Sequence, residues 1–265
     1  MMDEKRRGTL RERYLLEDRE FLRVYDPAGK EHSFYRDGQK IDIREWNRAV
    51  NRYNPMSTKL GHPFFPVRYL ERRRRRILVE QVPLEGSSLG ADIGCESGHL
   101  AFALAWRGAR LAAADLDPVM AAEASRSSPY PARISFLCSD VSALALKSGL
   151  FDFCLCAETL EHVPDMEKAL RELVRVTRPG GRLILAVPNE KRVLFIKRVM
   201  TGLGMGRLMG NLSRGRAMGH LNSVNREELL GLLPENVRVL RAFYDRPFGM
   251  NLFVVAEVSG SRPGR

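Results

Sequence analysis

The sequence predicts an α/β protein with a doubly wound, mostly parallel sheet of seven strands, the last of them antiparallel. Three observations support this prediction: short apolar runs alternate with helix-like segments from residue 87 onward, acidic residues follow successive runs, and two closely spaced apolar runs end the alternation. Such alternation is typical of parallel strands covered by helices on both faces. An N-terminal helical extension and an inserted lid segment complete the predicted architecture.

Seven apolar runs have the length and composition of strands. We expect strands near residues 88–94, 110–115, 133–138, 151–157 and 181–187, and then in VRVLRAFYD and NLFVVAEV. The intervening segments HLAFALAWRG, PVMAAEASR and MEKALRELVRVTR have apolar residues at spacings of three and four, which predicts amphipathic helices. The last two runs flank Arg246–Gly249 and are expected to pair antiparallel, a finish that the ordinary dinucleotide-binding fold lacks.

The predicted domain organisation has three parts. Residues 1–85 are interpreted as a mainly helical, basic extension, residues 86–258 as the catalytic domain with an inserted lid at 190–219, and residues 259–265 as a flexible tail. Charge runs are usually solvent-exposed. The five arginines Arg72–Arg76, which follow Glu71, are therefore interpreted as a solvated helix face leading into the core.

Composition limits the class of protein. A chain of 265 residues with 44% hydrophobic content can form a core. The charged start MMDEKRRGTLRER and the lack of an apolar stretch of about 18 residues predict a cytoplasmic protein. The four cysteines lie in apolar segments without a CxxC pair, and we expect reduced core residues. The net charge of +11 would steer an anionic substrate, a nucleic acid or an anionic membrane surface.

A strand, a glycine turn and a helix start follow one another in LGADIGCESGHLA. Asp92 ends the apolar run, and Gly94 and Gly98 allow a tight turn with close backbone approach to a ligand. The segment resembles the first motif of class I S-adenosylmethionine-dependent methyltransferases, which implies that this loop holds the methionine part of the cofactor. Glu96 stands where that family most often has its middle glycine. Its carboxylate would either repel the cofactor carboxylate or pair with the cofactor amino group.

Two further acids follow the next two apolar runs. Asp115 comes after LAAA, where a carboxylate can accept hydrogen bonds from both ribose hydroxyls, as in dinucleotide enzymes. Asp117 directly precedes Pro118 and is interpreted as a helix cap. Asp140 and Val141 resemble the family's adenine site, in which the Asp side chain accepts from the exocyclic amine and the next backbone N–H meets a ring nitrogen.

Acids at the ends of three successive strands indicate one ligand, because ligands of open α/β sheets bind at the carboxyl ends of strands. The resemblance covers roughly residues 85–258 and implies S-adenosylmethionine as the cofactor. The residues that it assigns to the cofactor are Asp92, Gly94, Cys95, Glu96, Gly98, Asp115, Leu116, Asp140, Val141 and Ala157.

Three side chains that can carry protons or bind a metal lie within five positions after the fourth strand: Glu158, Glu161 and His162. With the distant His220, this run resembles small-RNA 2'-O-methyltransferases of the Hen type, which implies a Mg or Mn ion held by these four side chains. The run is also similar to that of ubiquinone-pathway O-methyltransferases, which act on small molecules. Two interpretations without metal stay open: His162 as a general base, with Glu158 as a second catalytic candidate, and a structural role for the glutamates.

Two segments are expected to border the acceptor. Residues 190–219 combine apolar and basic side chains, which suits an apolar substrate tunnel, contact with an anionic membrane surface or an extra packed helix. The N-terminal segment is expected to cap the same cleft.

The sequence therefore predicts methyl transfer from S-adenosylmethionine to an oxygen of a small or lipid-like metabolite. The alternatives are an RNA 2'-O-methyltransferase that uses the basic flanks, a non-catalytic scaffold in which Glu96 weakens the cofactor site, and a less well supported nicotinamide-dependent oxidoreductase. The oligomeric state is left open.

Overall fold

The structure is a computed structural model of the chain. It describes residues 10–16, 19–25, 32–53, 60–61, 64–84, 88–204 and 220–260. Among these residues, no helix combines the length and the hydropathy needed to span a bilayer. The end of the predicted flexible tail, residues 261–265, lies outside the described residues.

The N-terminal region begins with a small antiparallel sheet rather than with helices. Its strands pair in chain order and are β1 (Leu10–Leu16), β2 (Arg19–Tyr25), β3 (His32–Arg36) and β4 (Gln39–Ile41). Helices α1 (Ile43–Tyr53) and α2 (Phe65–Gln81) follow. The prediction of a mainly helical extension is therefore wrong for the described residues between Leu10 and Ile41, which form strands, whereas most of the described residues from Ile43 to Gln81 are helical.

The turn between β3 and β4 contains a sequence signal for this sheet. Asp37 and Gly38 both have positive φ angles, 48° and 80°, as a two-residue hairpin turn of type I′ requires. An Asp-Gly pair between two short strand-like runs is a recognised hairpin signal. The dense charges of the flanking runs obscured the apolar pattern on which the helical prediction depended.

A small aromatic core holds the N-terminal sheet against α1. Trp46 is fully buried, and its ring centroid lies 4.8 Å from that of Phe34 and 6.0 Å from that of Phe21. Leu221 packs into the same cluster. Because Leu221 directly follows His220, this contact attaches the N-terminal sheet beside one of the predicted site residues.

The seven-stranded sheet of the prediction is confirmed. Its strands are β5 (Leu89–Ile93), β6 (Arg110–Asp115), β7 (Ile134–Cys138), β8 (Phe151–Ala157), β9 (Thr177–Pro188), β10 (Val237–Tyr244) and β11 (Asn251–Val258). Their spatial order is β10-β11-β9-β8-β5-β6-β7. Strands β5 to β9 run parallel, and β11 is antiparallel to both β9 and β10. The closing pair is therefore antiparallel, as predicted.

Helices cover both faces of this sheet. The predicted segments form α3 (His99–Trp106), α4 (Pro118–Ser127) and α5 (Met166–Val176). Neighbouring residues of a strand point to opposite faces. Cys154 packs in one apolar cluster with Leu170 of α5, whereas Leu155 packs in another with Leu78 of α2 and Leu104 of α3. The doubly wound arrangement follows from this alternation.

The predicted lid begins as a helix. Residues Glu190–Gly202 form α6, and α7 (Arg226–Gly231) follows the segment 205–219, which lies outside the described residues. Asn225 and Glu228 form a reciprocal capping box at the start of α7, with hydrogen bonds of 3.0 and 2.9 Å.

All four cysteines are free thiols. Cys95, Cys154 and Cys156 are buried, as predicted for core residues. Cys138 departs from the prediction because it ends β7 and is exposed.

Candidate functional site

The turn between β5 and α3 requires its two glycines. Gly94 and Gly98 both have φ angles of 78°, in the left-handed region that favours glycine. A Cβ atom on Gly94 would lie 1.9 Å from Thr159 Oγ1, and one on Gly98 would lie 2.9 Å from the Phe102 ring. A side chain at either position would collide with these neighbours, so the turn can be this tight only with glycine at both positions.

Asp92 lies buried at the end of β5, directly before this turn. Its Oδ2 atom has no hydrogen-bond partner among the described residues. Burial, opposed by the Ala101 amide and aided by the nearby Asp115 carboxylate, raises the pKa of this carboxyl to about 7. A buried carboxylate oxygen without a partner is costly, and such a group suits a cationic ligand.

Cys95 and Glu96 form the middle of the turn. The Cys95 amide donates to the Ala114 carbonyl at 3.0 Å, and burial raises the pKa of its thiol, so this thiol packs rather than reacts. Glu96 has a φ angle of 46°, which explains why the related motif most often carries glycine there. The Glu96 amide donates to Asp115 Oδ2 at 2.7 Å, which fixes the turn against the next strand.

Asp115 ends β6 with both carboxylate oxygens engaged by backbone amides. Oδ2 accepts from Glu96, and Oδ1 accepts from Asp117 at 2.9 Å. Burial raises the pKa of Asp115, and these amides partly offset the shift. Leu116, the next residue, is half-buried. Asp117 caps α4 by accepting from the Val119 amide at 2.9 Å, as predicted.

Asp140 follows β7 at the same edge of the sheet. Its Oδ1 atom accepts from the Ser142 amide at 2.8 Å, and its Oδ2 atom lies 3.4 Å from the Arg44 guanidinium of α1. Val141 is buried beside it. The N-terminal region therefore reaches the predicted adenine position, a contact that no pattern in the sequence indicates.

Glu158 follows Ala157 at the tip of β8 and lies apart from the other predicted metal ligands. Its φ angle of 54° turns the chain, and its Oε2 atom pairs with Arg74 Nη1 at 2.6 Å. Glu158 Oε1 is buried without a partner among the described residues. The four predicted metal ligands therefore do not come together, because the Glu158 carboxylate pairs with Arg74 instead.

The interpretation of Arg72–Arg76 as a solvated helix face is wrong for Arg74. It is buried and also pairs with Glu71 at 2.6 Å. Burial alone would lower its pKa, but the Glu158 and Glu71 carboxylates raise it above its usual value. One member of Arg72–Arg76 therefore points into the protein, although the sequence offers no signal that singles it out.

Glu161, His162 and His220 form the remaining cluster. Glu161 Oε1 lies 4.0 Å from His162 Nε2 and 3.9 Å from His220 Nε2, and one ligand atom from each residue fits within 4.8 Å of the others. A short helix of 3-10 type, Leu160–His162, brings the first two together.

Glu190 completes this cluster and was missed by the sequence analysis. Its carboxylate forms a hydrogen bond with His220 Nδ1, and both side chains are buried. Glu190 lies just after β9, so the rule that acids at strand tips converge would have included it.

Comparison with known proteins identifies the domain. Residues 91–185 match a family model described as "Methyltransferase domain". The ubiquinone biosynthesis O-methyltransferase of Coxiella burnetii is 28% identical over 125 residues, which cover 47% of this chain and 53% of that protein. The protein of the same name from Xanthomonas campestris is 32% identical over 140 residues, covering 52% and 58%. The match thus spans little more than half the length of these curated relatives.

Solved structures share the fold at low identity. The N-methyltransferase NodS from Bradyrhizobium japonicum, in complex with S-adenosyl-L-homocysteine, aligns with a TM-score of 0.54 and 20% identity over 78% of this chain and 98% of that chain. A putative methyltransferase in complex with the Haloferax volcanii Trm112 activator aligns with a TM-score of 0.61 and 16% identity over 84% and 100%. The resemblance indicated by the strand-tip acids is confirmed: residues 91–185 match a methyltransferase domain, and the chain has the fold of class I S-adenosylmethionine-dependent methyltransferases.

Proposed function

We propose that this protein transfers a methyl group from S-adenosylmethionine to an oxygen of a small or lipid-like metabolite. The observation that carries the proposal is the buried Asp92 carboxylate beside the glycine turn, because its Oδ2 atom has no hydrogen-bond partner among the described residues. The cofactor supplies an already activated methyl group, so the protein mainly has to align the acceptor with it. A cytoplasmic location remains part of the proposal.

The described residues fit the cofactor. In this arrangement the loop from Asp92 to Gly98 holds the methionine part, and Asp92 provides the carboxylate for its ammonium group. Asp115 accepts from the ribose hydroxyls, since each carboxylate oxygen has a second lone pair beside its backbone amide bond. Asp140 and Val141 take the adenine, and Leu116 and Ala157 line the same edge of the sheet.

The acceptor end of the site supports an oxygen nucleophile. His162 is half-buried, with Nε2 facing Glu161 at 4.0 Å, and imidazole accepts protons near neutral pH. In the proposal, His162 takes the proton of the acceptor hydroxyl and Glu161 stabilises the imidazolium. The names of the curated relatives, which are O-methyltransferases, support oxygen as the acceptor atom.

Calorimetric titration with S-adenosylhomocysteine tests the cofactor site. The wild-type chain is expected to bind one molecule, and Asp92→Asn is expected to weaken binding by about tenfold or more because it removes a charge-assisted contact. Transfer of label from methyl-labelled cofactor to a metabolite extract then tests the activity. Absence of binding at millimolar cofactor would contradict the proposal.

A divalent metal ion is the alternative to the His162 base in this proposal, because a metal-bound His162 would not take the acceptor proton. Two histidines and one carboxylate with open positions suit a divalent ion, and Glu161, His162 and His220 offer this set. Metal-bound histidines usually donate their other N–H to a carboxylate, and Glu190 is placed to accept from His220 Nδ1. A Mg or Mn ion at this position would lower the pKa of the acceptor hydroxyl.

Mn²⁺ titration of chelator-treated protein, followed by electron paramagnetic resonance, tests the metal without an activity assay. We expect one ion per chain, loss of binding in His220→Ala, and binding roughly 10- to 100-fold weaker in Glu190→Gln. Glu158→Gln is the control and should retain the ion. If wild type and His220→Ala bind Mn²⁺ equally weakly, the cluster does not hold a metal ion.

Two of the alternatives, RNA methylation and a non-catalytic scaffold, receive less support. The RNA 2'-O-methyltransferase hypothesis requires all four ligands, and the engagement of Glu158 by Arg74 speaks against it. The scaffold hypothesis requires that Glu96 weakens the cofactor site. Substitution Glu96→Gly tests it, because a gain in cofactor affinity of about tenfold or more would indicate a degenerate native site.

A further inference from the structure

Helix α6 begins at the acceptor end of the candidate site. Asn189 caps it by accepting from the Arg192 amide at 3.4 Å, and Glu190, its first residue, bonds to His220. Glu190 is the only buried residue of this helix. The rest of α6 therefore projects from the site with most of its surface accessible.

Three large apolar side chains form a stripe along α6 and the residue that follows it. Phe195, Val199 and Leu203 are separated by four positions each, and their exposed fractions are 58%, 46% and 67%. Residues at this spacing share one helix face. Exposed apolar residues are ordinary when scattered, but a contiguous stripe marks an interaction surface.

Basic side chains border the same stripe. At about 100° per residue, Lys191 and Arg198 lie on the helix edge next to Phe195, and both are exposed. Residues 188–220 as a whole carry 7 Lys or Arg against 1 Asp or Glu. An apolar stripe edged by cations matches a surface that is apolar inside and anionic outside.

We infer that α6 docks the protein on an anionic lipid bilayer. The Phe195, Val199 and Leu203 side chains enter the boundary between headgroups and acyl chains, while Lys191 and Arg198 remain at the level of the anionic headgroups. A second copy of this chain is a poorer occupant, because the chain carries a net charge of +11 and the two basic segments would repel.

This arrangement specifies where the acceptor enters. Because α6 starts at Glu190 beside His220, docking brings the acceptor end of the site close to the membrane surface. A lipid-like acceptor would then enter from the bilayer. That last step rests on the proposed function, whereas the docking itself does not.

Co-sedimentation with vesicles tests the docking. The full chain is expected to bind phosphatidylcholine vesicles that contain phosphatidylglycerol and to bind pure phosphatidylcholine vesicles weakly, with binding reduced at high salt. The double substitution Phe195→Ser and Leu203→Ser should reduce binding by about tenfold or more. Lys191→Gln with Arg198→Gln should reduce it by roughly fivefold or more, selectively on anionic vesicles.

Trp106→Ser is the matched control, because Trp106 on α3 is 75% exposed but has no place in the stripe. It should leave vesicle binding unchanged. Titration with S-adenosylhomocysteine on all variants should give wild-type affinity, which separates a docking defect from a failed cofactor site. The inference is overturned if anionic vesicles bind no protein, if Trp106→Ser loses binding as strongly, or if light scattering detects a dimer that Phe195→Ser dissolves.

Discussion

Arg74 Nη1 lies 2.6 Å from Glu158 Oε2, and this ion pair joins the N-terminal helix α2 to the tip of β8. Because both side chains are mostly buried, neither charge is well solvated without the other. The pair also keeps Glu158 away from the cluster of Glu161, His162 and His220. Arg74 therefore connects the N-terminal region to the chemistry of the site.

Removal of Arg74 should destabilise the fold. Arg74→Ala leaves the Glu158 carboxylate buried without its cation, and we expect a loss of about 3 kcal/mol in the free energy of unfolding, measured in urea. Arg74→Met combined with Glu158→Gln should recover at least half of that loss. Arg76→Ala is the control, since the Arg76 guanidinium is exposed and solvent screens its pair with Glu80, so its loss should change stability little. Equal losses in both single variants would contradict the buried-pair argument.

Asp92 should make the stability of the ligand-free protein fall as pH rises. Its carboxyl has a pKa of about 7 in the folded state and an ordinary value of 3.8, so the folded state holds the proton that the unfolded chain releases between these values. The associated stability is present below about pH 4 and is lost by about pH 7. Asp92→Asn should therefore be more stable than wild type at pH 8 by roughly 3 kcal/mol, and the advantage should shrink at pH 5.

Urea unfolding at the two pH values measures this difference. Saturating S-adenosylhomocysteine should stabilise wild type far more than Asp92→Asn, because its ammonium group pairs with the ionised carboxylate. A difference between the two proteins that does not change with pH would show that Asp92 titrates normally.

Substitutions of the neighbouring residues Asp115 and Asp117 should have different effects, the first on cofactor binding and the second on the stability of α4. Asp115→Asn should weaken S-adenosylhomocysteine binding by about 30-fold or more, since hydrogen bonds to a charged group contribute about 1.5–3 kcal/mol each. Asp117→Ala should cost about 1 kcal/mol of unfolding free energy through loss of the α4 cap, with affinity nearly unchanged. Calorimetry and urea unfolding on both variants check the separation. The opposite pattern would mean that Asp117 contacts the cofactor and that Asp115 only stabilises the fold.

Arg44 should compete mildly with the cofactor for Asp140. Its guanidinium lies 3.4 Å from Asp140 Oδ2, but the Arg44 side chain is exposed, so the pair contributes about 0.5 kcal/mol. Arg44→Ala is expected to raise S-adenosylhomocysteine affinity by about twofold, while Asp140→Ala lowers it by about tenfold. Should Arg44→Ala instead weaken binding, Arg44 would be a cofactor ligand.

The sequence by itself predicted the seven-stranded sheet, its antiparallel finish and the strand tips that carry Asp92, Asp115 and Asp140. These features depend on local patterns: the periodicity of apolar residues defines strands and helices, and parallel strands bring their carboxyl ends to one edge. The hairpin turn at Asp37 and Gly38 had a local signal as well, but the dense charges around it favoured a helical interpretation.

Only the tertiary structure selected Arg74 from five adjacent arginines, placed Glu190 on His220 and brought Arg44 to Asp140. Each of these contacts joins segments far apart in the chain, and a single sequence contains no periodicity that specifies which distant charges will meet. The identity of the paired residues is decided by how α1, α2 and α6 pack around the sheet. For Arg74 and Glu190, which are buried, a partner is also required, because a buried charge without one is costly.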